Sequence, residues 1–552
     1  MLRTFNLTVW HVIGVASVIT LILFVVYPIS SLVTASFTSA ETGGFSLGGY
    51  AEFFSTEEYV DATVNTLLLG FGTTLGALAV GVTLAFVVAR YDFPFKSIIA
   101  MLPLITFVLP DIIVCQSWIM VLGNNGVLTN FMWDFFSIEM PVFYGWFGLL
   151  YIMILQHFAY VYLMIIAAFK GIDVHLEEAA RNLGSSPFRV YRTVTIPVLT
   201  PAILVSAMVV FTLAADNFGI PAIVARQVPI LSVTAYNTYI SELSNEPVMQ
   251  STMAMILIAI VVIVLIIQKG YLERKVYQME AGRTPPVRPL KGVGAKIVSG
   301  GLIFVICLSL LPVVIVAVAA FTLSKGPVMH WGSFSMESMN KLLLFAPEAM
   351  FNSIFLATVA TAFGVVFSVL VSYLLIKERS PLTHALDFMI MLPLAIAGTV
   401  LGIALVISYN TGTVVLTGTW VIMAIAYFIR RVPFSIRAAS SVLHSISDSI
   451  EEASINLGVP PGRTFLKVIL PLMRPAVISA AILMWVTTLS ELSATLVLYT
   501  AGLATMPIQI FQSIDSGYMG PASAYSLVLI VSVFVPIFVA IRVFKIDVFA
   551  SR

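Results

Sequence analysis

EEAARNLGSSPFRVYRTVTIPVLTPA, residues 177–202, and EEASINLGVPPGRTFLKVILPLMRPA, residues 451–476, are two versions of one stretch at a constant offset of 274. The chain is therefore a tandem of two related halves, each with the same polar insert set between apolar runs. In each copy two carboxylates open a short run of helical character, Leu176–Leu183 and Ile450–Leu457, which ends at Gly184 or Gly458. Glycine there suits a helix end that needs a left-handed φ. A second short helix is expected over about Pro187–Thr195 and Pro461–Ile469, ending where Pro197 and Pro471 open the next apolar run.

The surroundings of the inserts set the class. Hydrophobic residues make up 59% of the 552 and charged residues 10%, with a mean hydropathy of +1.03; a soluble chain carries roughly 25% charged residues. Runs of the length that crosses a bilayer, about 20 residues of helix, fall near 12–35, 64–89, 97–122, 145–169, 198–216 and 250–268, and again near 297–321, 352–376, 386–409, 412–429, 474–492 and 523–543. The expectation is an all-α polytopic membrane protein of twelve transmembrane helices in two six-helix halves. The runs are continuous, not alternating, which excludes a closed barrel. The first run is longer than a secretory signal core and is expected to be retained.

Lys and Arg side chains set the orientation. With the N-terminus inside, all of the 28 basic residues except Arg226, Lys325 and Lys341 fall on the cytoplasmic side, the six from Arg430 to Arg474 among them. Both termini and both inserts are then cytoplasmic. The expected organisation is a first repeat over 1–269 with its insert at about 172–197, a charged, Pro- and Gly-rich linker over 270–296, and a second repeat over 297–552 with its insert at about 446–471. Even numbers of spans give the halves the same orientation and an axis along the membrane normal. Met-Leu-Pro-Leu at 101–104 and 391–394, Asn65 with Asn352, and Asp216 with Glu491 are further echoes of the duplication.

The spacing within the inserts carries the functional signal. Glu178-Ala179-Ala180, Gly184 and Val194-Thr195-Ile196-Pro197, with Glu452-Ala453-Ser454, Gly458 and Val468-Ile469-Leu470-Pro471, resemble the mark of permease subunits of binding-protein-dependent ATP-binding-cassette importers. That resemblance implies a type I fold and a coupling role for each insert, through Glu177, Glu178, Ala179, Ala180, Gly184 and Pro197 and through Glu451, Glu452, Ala453, Gly458 and Pro471. It also implies two ATPase subunits carrying ATP and Mg, an external solute-binding protein and a bacterial inner-membrane location. An amphipathic helix lying on lipid is the plainer reading of one insert, but it leaves two copies in register unexplained. The segment Glu491–Tyr499, with Gly502 and Thr505, is similar to the ferric-iron branch, which borders transporters of 2-aminoethylphosphonate, phosphorylated sugars and thiamine.

Other chemistry is excluded or bland. No phosphate-binding Gly-x-x-x-x-Gly-Lys-Ser/Thr loop exists, the nearest fragment being Gly292–Lys296, so the chain is not itself an ATPase of that kind and holds no cofactor. No nucleophile constellation or metal cluster is visible, a net charge of +1 suggests no nucleic acid, and Cys115 and Cys307 read as buried hydrophobes. Charges within spans are functional candidates, which singles out Asp216 and Glu491, with Asn217, Ser490 and Ser493 beside them, as a substrate pathway. These acids either serve a cation or hold the backbone at a helix break. Asp111, Gln116 and His157 are further polar residues at depth. An ion-coupled secondary transporter with Asp216 or Glu491 as its ion site is the rival from another class.

Overall fold

A computed structural model describes residues 9–39, 42–169, 171–241, 247–273, 288–289, 293–345, 347–377 and 380–543. The terminal segments and most of the expected linker, 274–287 and 290–292, lie outside the described residues. The chain is mostly helical, with two minor two-stranded pairings, Tyr91–Asp92 with Arg288–Pro289 and the hairpin Thr322–Lys325 with Val328–Phe334. Among the described residues nine helices are long and apolar enough to cross a membrane, or up to eleven if two bent pairs are counted as single spans.

Two expected spans are broken. The run 97–122 is a helix Lys96–Val108 and a second one Asp111–Leu122, parted at Leu109-Pro110. Proline pushes the residue before it out of the helical region, and Leu109 is extended. In the second half Pro381–Met391 and a tight turn over Leu392–Ala395 precede Gly398–Tyr409, and the axis turns by 113°. The Met-Leu-Pro-Leu echo is not equivalent in space, because Pro103 sits inside its helix and Pro393 sits in the turn. The run 412–429 is displaced: the helix is Trp420–Ser445 and passes straight through Arg430 and Arg431. Those two arginines belong to the interior and not to the cytoplasmic side.

The halves interlock through their first spans. Val9–Ser36 packs against second-half helices Glu348–Lys377, Pro381–Met391 and Gly398–Tyr409. Trp10 stacks on Tyr373, and the Tyr409 hydroxyl donates to the Leu23 carbonyl at 2.7 Å. Reciprocally, Val293–Ala320 packs on first-half helices Lys96–Val108 and Asp111–Leu122, where Ser117 donates to the Pro312 carbonyl at 3.1 Å. Gln116 reaches Ser523 at 2.9 Å and Ser526 at 2.6 Å across the same boundary. Cys115 is buried, as expected, but Cys307 is exposed on the helix surface.

The duplication is visible in hydrogen bonds. Asn65 donates to the Pro229 carbonyl at 3.1 Å, and its echo Asn352 donates to the Ala504 carbonyl at 3.0 Å. The neighbouring hydroxyls repeat the pattern: Leu231 N–H donates to Thr66 at 2.9 Å, and Met506 N–H to Ser353 at 2.8 Å.

Candidate functional site

Each insert is a capped helix with a sharp end. Val174–Asn182 starts at Asp173, whose carboxylate accepts from His175 N–H at 3.0 Å, and Asp448–Asn456 starts at Ser447. Gly184 and Gly458 have φ of +81° and +85°, and the backbone closes identically behind them. Gly184 N–H donates to Arg181 and Ser185 N–H to Ala180, while Gly458 N–H donates to Ile455 and Val459 N–H to Ser454. This is the six-to-one closure of a left-handed helix end.

The second short helix of each insert does not stop at its proline. Pro187–Val190 passes through a wide turn, Tyr191–Thr195, straight into Ile196–Asp216. The wide turn shifts the hydrogen-bond register so that the missing N–H of Pro197 falls in the first turn of the next helix. The second half has the same wide turn over Phe465–Ile469, but there the helix axis bends by 72° between Leu472 and Arg474.

The two carboxylates of each insert do different work. Glu177 is buried, accepts from Thr195 at 2.8 Å and is ion-paired with Arg90, the last residue of Glu57–Arg90. Glu451 accepts from the Tyr373 hydroxyl and pairs with Lys377 at 3.3 Å, at the end of Glu348–Lys377. Lys377 also holds the exposed Asp448 carboxyl below the usual carboxylate range through a hydrogen bond. Glu178 and Glu452 instead face outward with Ala179, Ala453, Leu183 at 87% exposure and Leu457 at 85%. One carboxylate thus ties the insert to its own long helix, and the other is left on a small-residue surface with a protruding leucine.

The pathway candidates all line one cavity of about 130 Å³ between the halves. Asp216, at the end of Ile196–Asp216, accepts from Gly398 N–H at 2.6 Å and from Arg430 at 2.5 Å. Arg430 also donates to Glu491 at 2.5 Å, and Arg431 donates to the other Glu491 oxygen at 2.5 Å. Asn217 donates to Asp111 at 2.6 Å, and Tyr160, Ser490 and Ser493 complete this part of the lining. The acids hold the backbone at helix breaks, Asp216 through Gly398 N–H and Glu491 through Ala494 N–H, and both flank the cavity.

The paired positions are offset by one from the expected echo. Asn217 accepts from Ile220 N–H at 3.1 Å, and Glu491 accepts from Ala494 N–H at 3.2 Å, ahead of helices Gly219–Val224 and Ser493–Leu498. Glu491 is therefore the counterpart of Asn217, and Asp216 is the counterpart of Ser490. Sequence reasoning also missed Arg430 and Arg431. At the 274-residue offset of the inserts they fall opposite Gln156 and His157, residues already conspicuous at depth, and that register was the signal. Gln156 donates to the Leu109 carbonyl at 2.8 Å and so supports the first-half break, as Arg430 spans the second-half one. Among the described residues, His157 bonds the Met153 carbonyl of its own helix, at 2.8 Å.

A ferric transport system permease protein, FbpB, of Actinobacillus pleuropneumoniae is 25% identical over 530 residues, 93% of this chain and 75% of that protein. A putative 2-aminoethylphosphonate transport system permease protein, PhnV, of Salmonella choleraesuis is 26% identical over 44% of this chain and 92% of its own length. The structure of a bacterial ABC transporter involved in alginate import aligns with a TM-score of 0.41 and 16% identity, over 48% of this chain and 94% of that one. The sequence model of one family matches twice, at 72–277 and 364–546, and the chain belongs to that family, the binding-protein-dependent transport system inner membrane components.

Proposed function

We propose that this chain is the fused permease of an ATP-driven importer in a bacterial inner membrane, with twelve crossing segments in two pseudo-symmetric halves, both termini cytoplasmic, and two ATPase subunits that bind ATP and Mg, one on each insert. The observation that carries this is the pair of inserts with the same closure at Gly184 and Gly458 and the same ion-paired tie to a long helix. The outward faces with Ala179, Glu178 and Leu183, or Ala453, Glu452 and Leu457, suit a groove on a partner: small residues permit close approach, and the leucine supplies an apolar anchor. ATP binding that draws the two inserts together pulls on Arg90 and Lys377. About 25 residues of each long helix separate those cations from Asn65 and Asn352, or about 38 Å at 1.5 Å per residue. Each helix therefore links an insert at one end to an outer segment at the other. Differential binding of ATP and of a loaded solute-binding protein to the two states biases the exchange.

Ferric iron is the substrate of first choice, because the ferric relatives are similar over both halves while the phosphonate relative aligns with less than half of the chain. The test is chain-dependent uptake of ferric iron by cells, with 2-aminoethylphosphonate in parallel, before and after ATP depletion at intact membrane potential. Uptake that stops with ATP supports the importer; uptake that survives identifies an ion-coupled secondary transporter instead.

A further inference from the structure

The central cavity divides its charges unevenly between the halves. Asp111, Tyr160, Asp216 and Asn217 come from the first half, and Arg430, Arg431 and Glu491 from the second. Closed together, two guanidiniums face three carboxylates. Glu491 keeps both arginines as partners from its own half, whereas Asp216 is neutralised only across the boundary, by Arg430 and by the Gly398 N–H. Asp111 uses one oxygen for Asn217 and, among the described residues, is in no ion pair. If the halves part, the first-half wall is left with two carboxylates and no cation, and the second-half wall retains a net positive charge. A buried carboxylate stripped of its partner is strongly unfavourable, so the open cavity needs a replacement for the Arg430 guanidinium.

We propose that Arg430 is a tethered counter-ion that occupies, in the closed state, the place of a multivalent cationic solute held by Asp216 and Asp111. The solute displaces the guanidinium when the cavity opens, and the return of Arg430 to Asp216 on closure expels it. Carboxylate oxygens, with the Tyr160 phenol on the same wall, are the hard donors that a small trivalent cation prefers. Among the described residues no group of three or more His, Cys, Asp or Glu is arranged to hold a metal, so the proposed site uses two carboxylates and the phenol and forms only once Arg430 has left. The proposal rests on the importer reading above and narrows it to cations.

The experiment is a titration of the purified chain in lipid nanodiscs, without ATPase subunits, with terbium(III) as a redox-inert trivalent probe read by tyrosine-sensitised luminescence. Arg430→Gln is expected to tighten terbium binding about tenfold or more, which is 1.4 kcal/mol, and Asp216→Asn in the same chain should abolish the gain. Arg430→Lys retains a charge that cannot bridge two carboxylates; it should give a smaller gain and serves if the glutamine variant does not fold. Exposed Arg437→Gln is the control. Unchanged binding in both Arg430 variants, or a gain that persists without Asp216, overturns the proposal. The importer reading fails separately, in the uptake assay with ATP depleted.

Discussion

Gly398→Ala is the most direct probe of the central cluster. A Cβ built there lies 2.8 Å from the Arg430 guanidinium carbon and 2.8 Å from the Ser493 Cβ, while the Gly398 N–H already donates to Asp216. No strained φ is involved, so the methyl acts by volume alone. The Ser493 side is a helix start and cannot retreat, and the Cβ lies nearer still to Arg430 Nη1, the donor to Glu491, so the guanidinium must move and its bonds to Glu491 and Asp216 are both disturbed. Overpacking of this kind costs about 1–3 kcal/mol, and displacement of a charge-assisted hydrogen bond adds about 1.5–3 kcal/mol. Each 1.4 kcal/mol is a factor of ten, so the closed cluster should lose about two to four orders of magnitude in population. Expected results are a lower melting temperature of the purified chain in nanodiscs and uptake reduced to background. Gly300→Ala, on a helix surface with nothing within 4 Å, should be neutral or slightly stabilising. Arg430→Lys in the Gly398→Ala background should recover part of the loss, because the slimmer ammonium clears the methyl. Wild-type melting and uptake in Gly398→Ala would refute the placement of Arg430.

Three further outcomes follow from the geometry. Glu177→Gln, which leaves Arg90 without its carboxylate, should cost about 3 kcal/mol and abolish stimulation of the ATPase by loaded binding protein while co-purification of the ATPase persists; Glu178→Gln, on the exposed face, should weaken co-purification alone. Gly184→Arg or Gly458→Arg forces a side chain into a left-handed backbone at about 1–2 kcal/mol and places bulk on the docking face, so uptake and ATPase association should both vanish while the chain stays in the membrane, as membrane fractionation will show. Gln116→Leu removes both buried bonds to Ser523 and Ser526 and should lower stability by about 1 kcal/mol, measured by thermal unfolding in nanodiscs.

The repeated insert was legible in the sequence because its determinants are local: the Gly184 and Gly458 ends, the prolines and the carboxylate pair are each read within a few residues. The division of labour between Glu177 and Glu178 was not, since it depends on Arg90, which sits 87 residues earlier. Span edges failed where charge lies inside. Arg430 and Arg431 looked like the end of an apolar run because their partners, Asp216 and Glu491, are 214 and 60–61 residues away. The breaks at Leu109-Pro110 and before Gly398 were hidden for the opposite reason: the runs around them are mostly apolar, and the prolines at the turns, Pro110 and Pro393, look no different from Pro103, which sits inside a helix. Asp216 and Glu491 were found correctly as residues at depth, but their equivalence was off by one because a single-residue difference in the following loop shifts the register from 274 to 275.

The exchange of first spans has a consequence for synthesis. The helix Val9–Ser36 is made before the other described helices, yet Trp10 stacks on Tyr373 of Glu348–Lys377 and the Tyr27 hydroxyl donates to the Ser408 carbonyl of Gly398–Tyr409. Its later part, Tyr27–Ser36, can pack on Pro247–Glu273 as soon as the first half is made, but its Trp10 end waits for the second half. The first half is inserted before it can close, and the order of events in the membrane is waiting first and packing later. A gene cut at the linker would still encode two halves that each lack a wall until they meet.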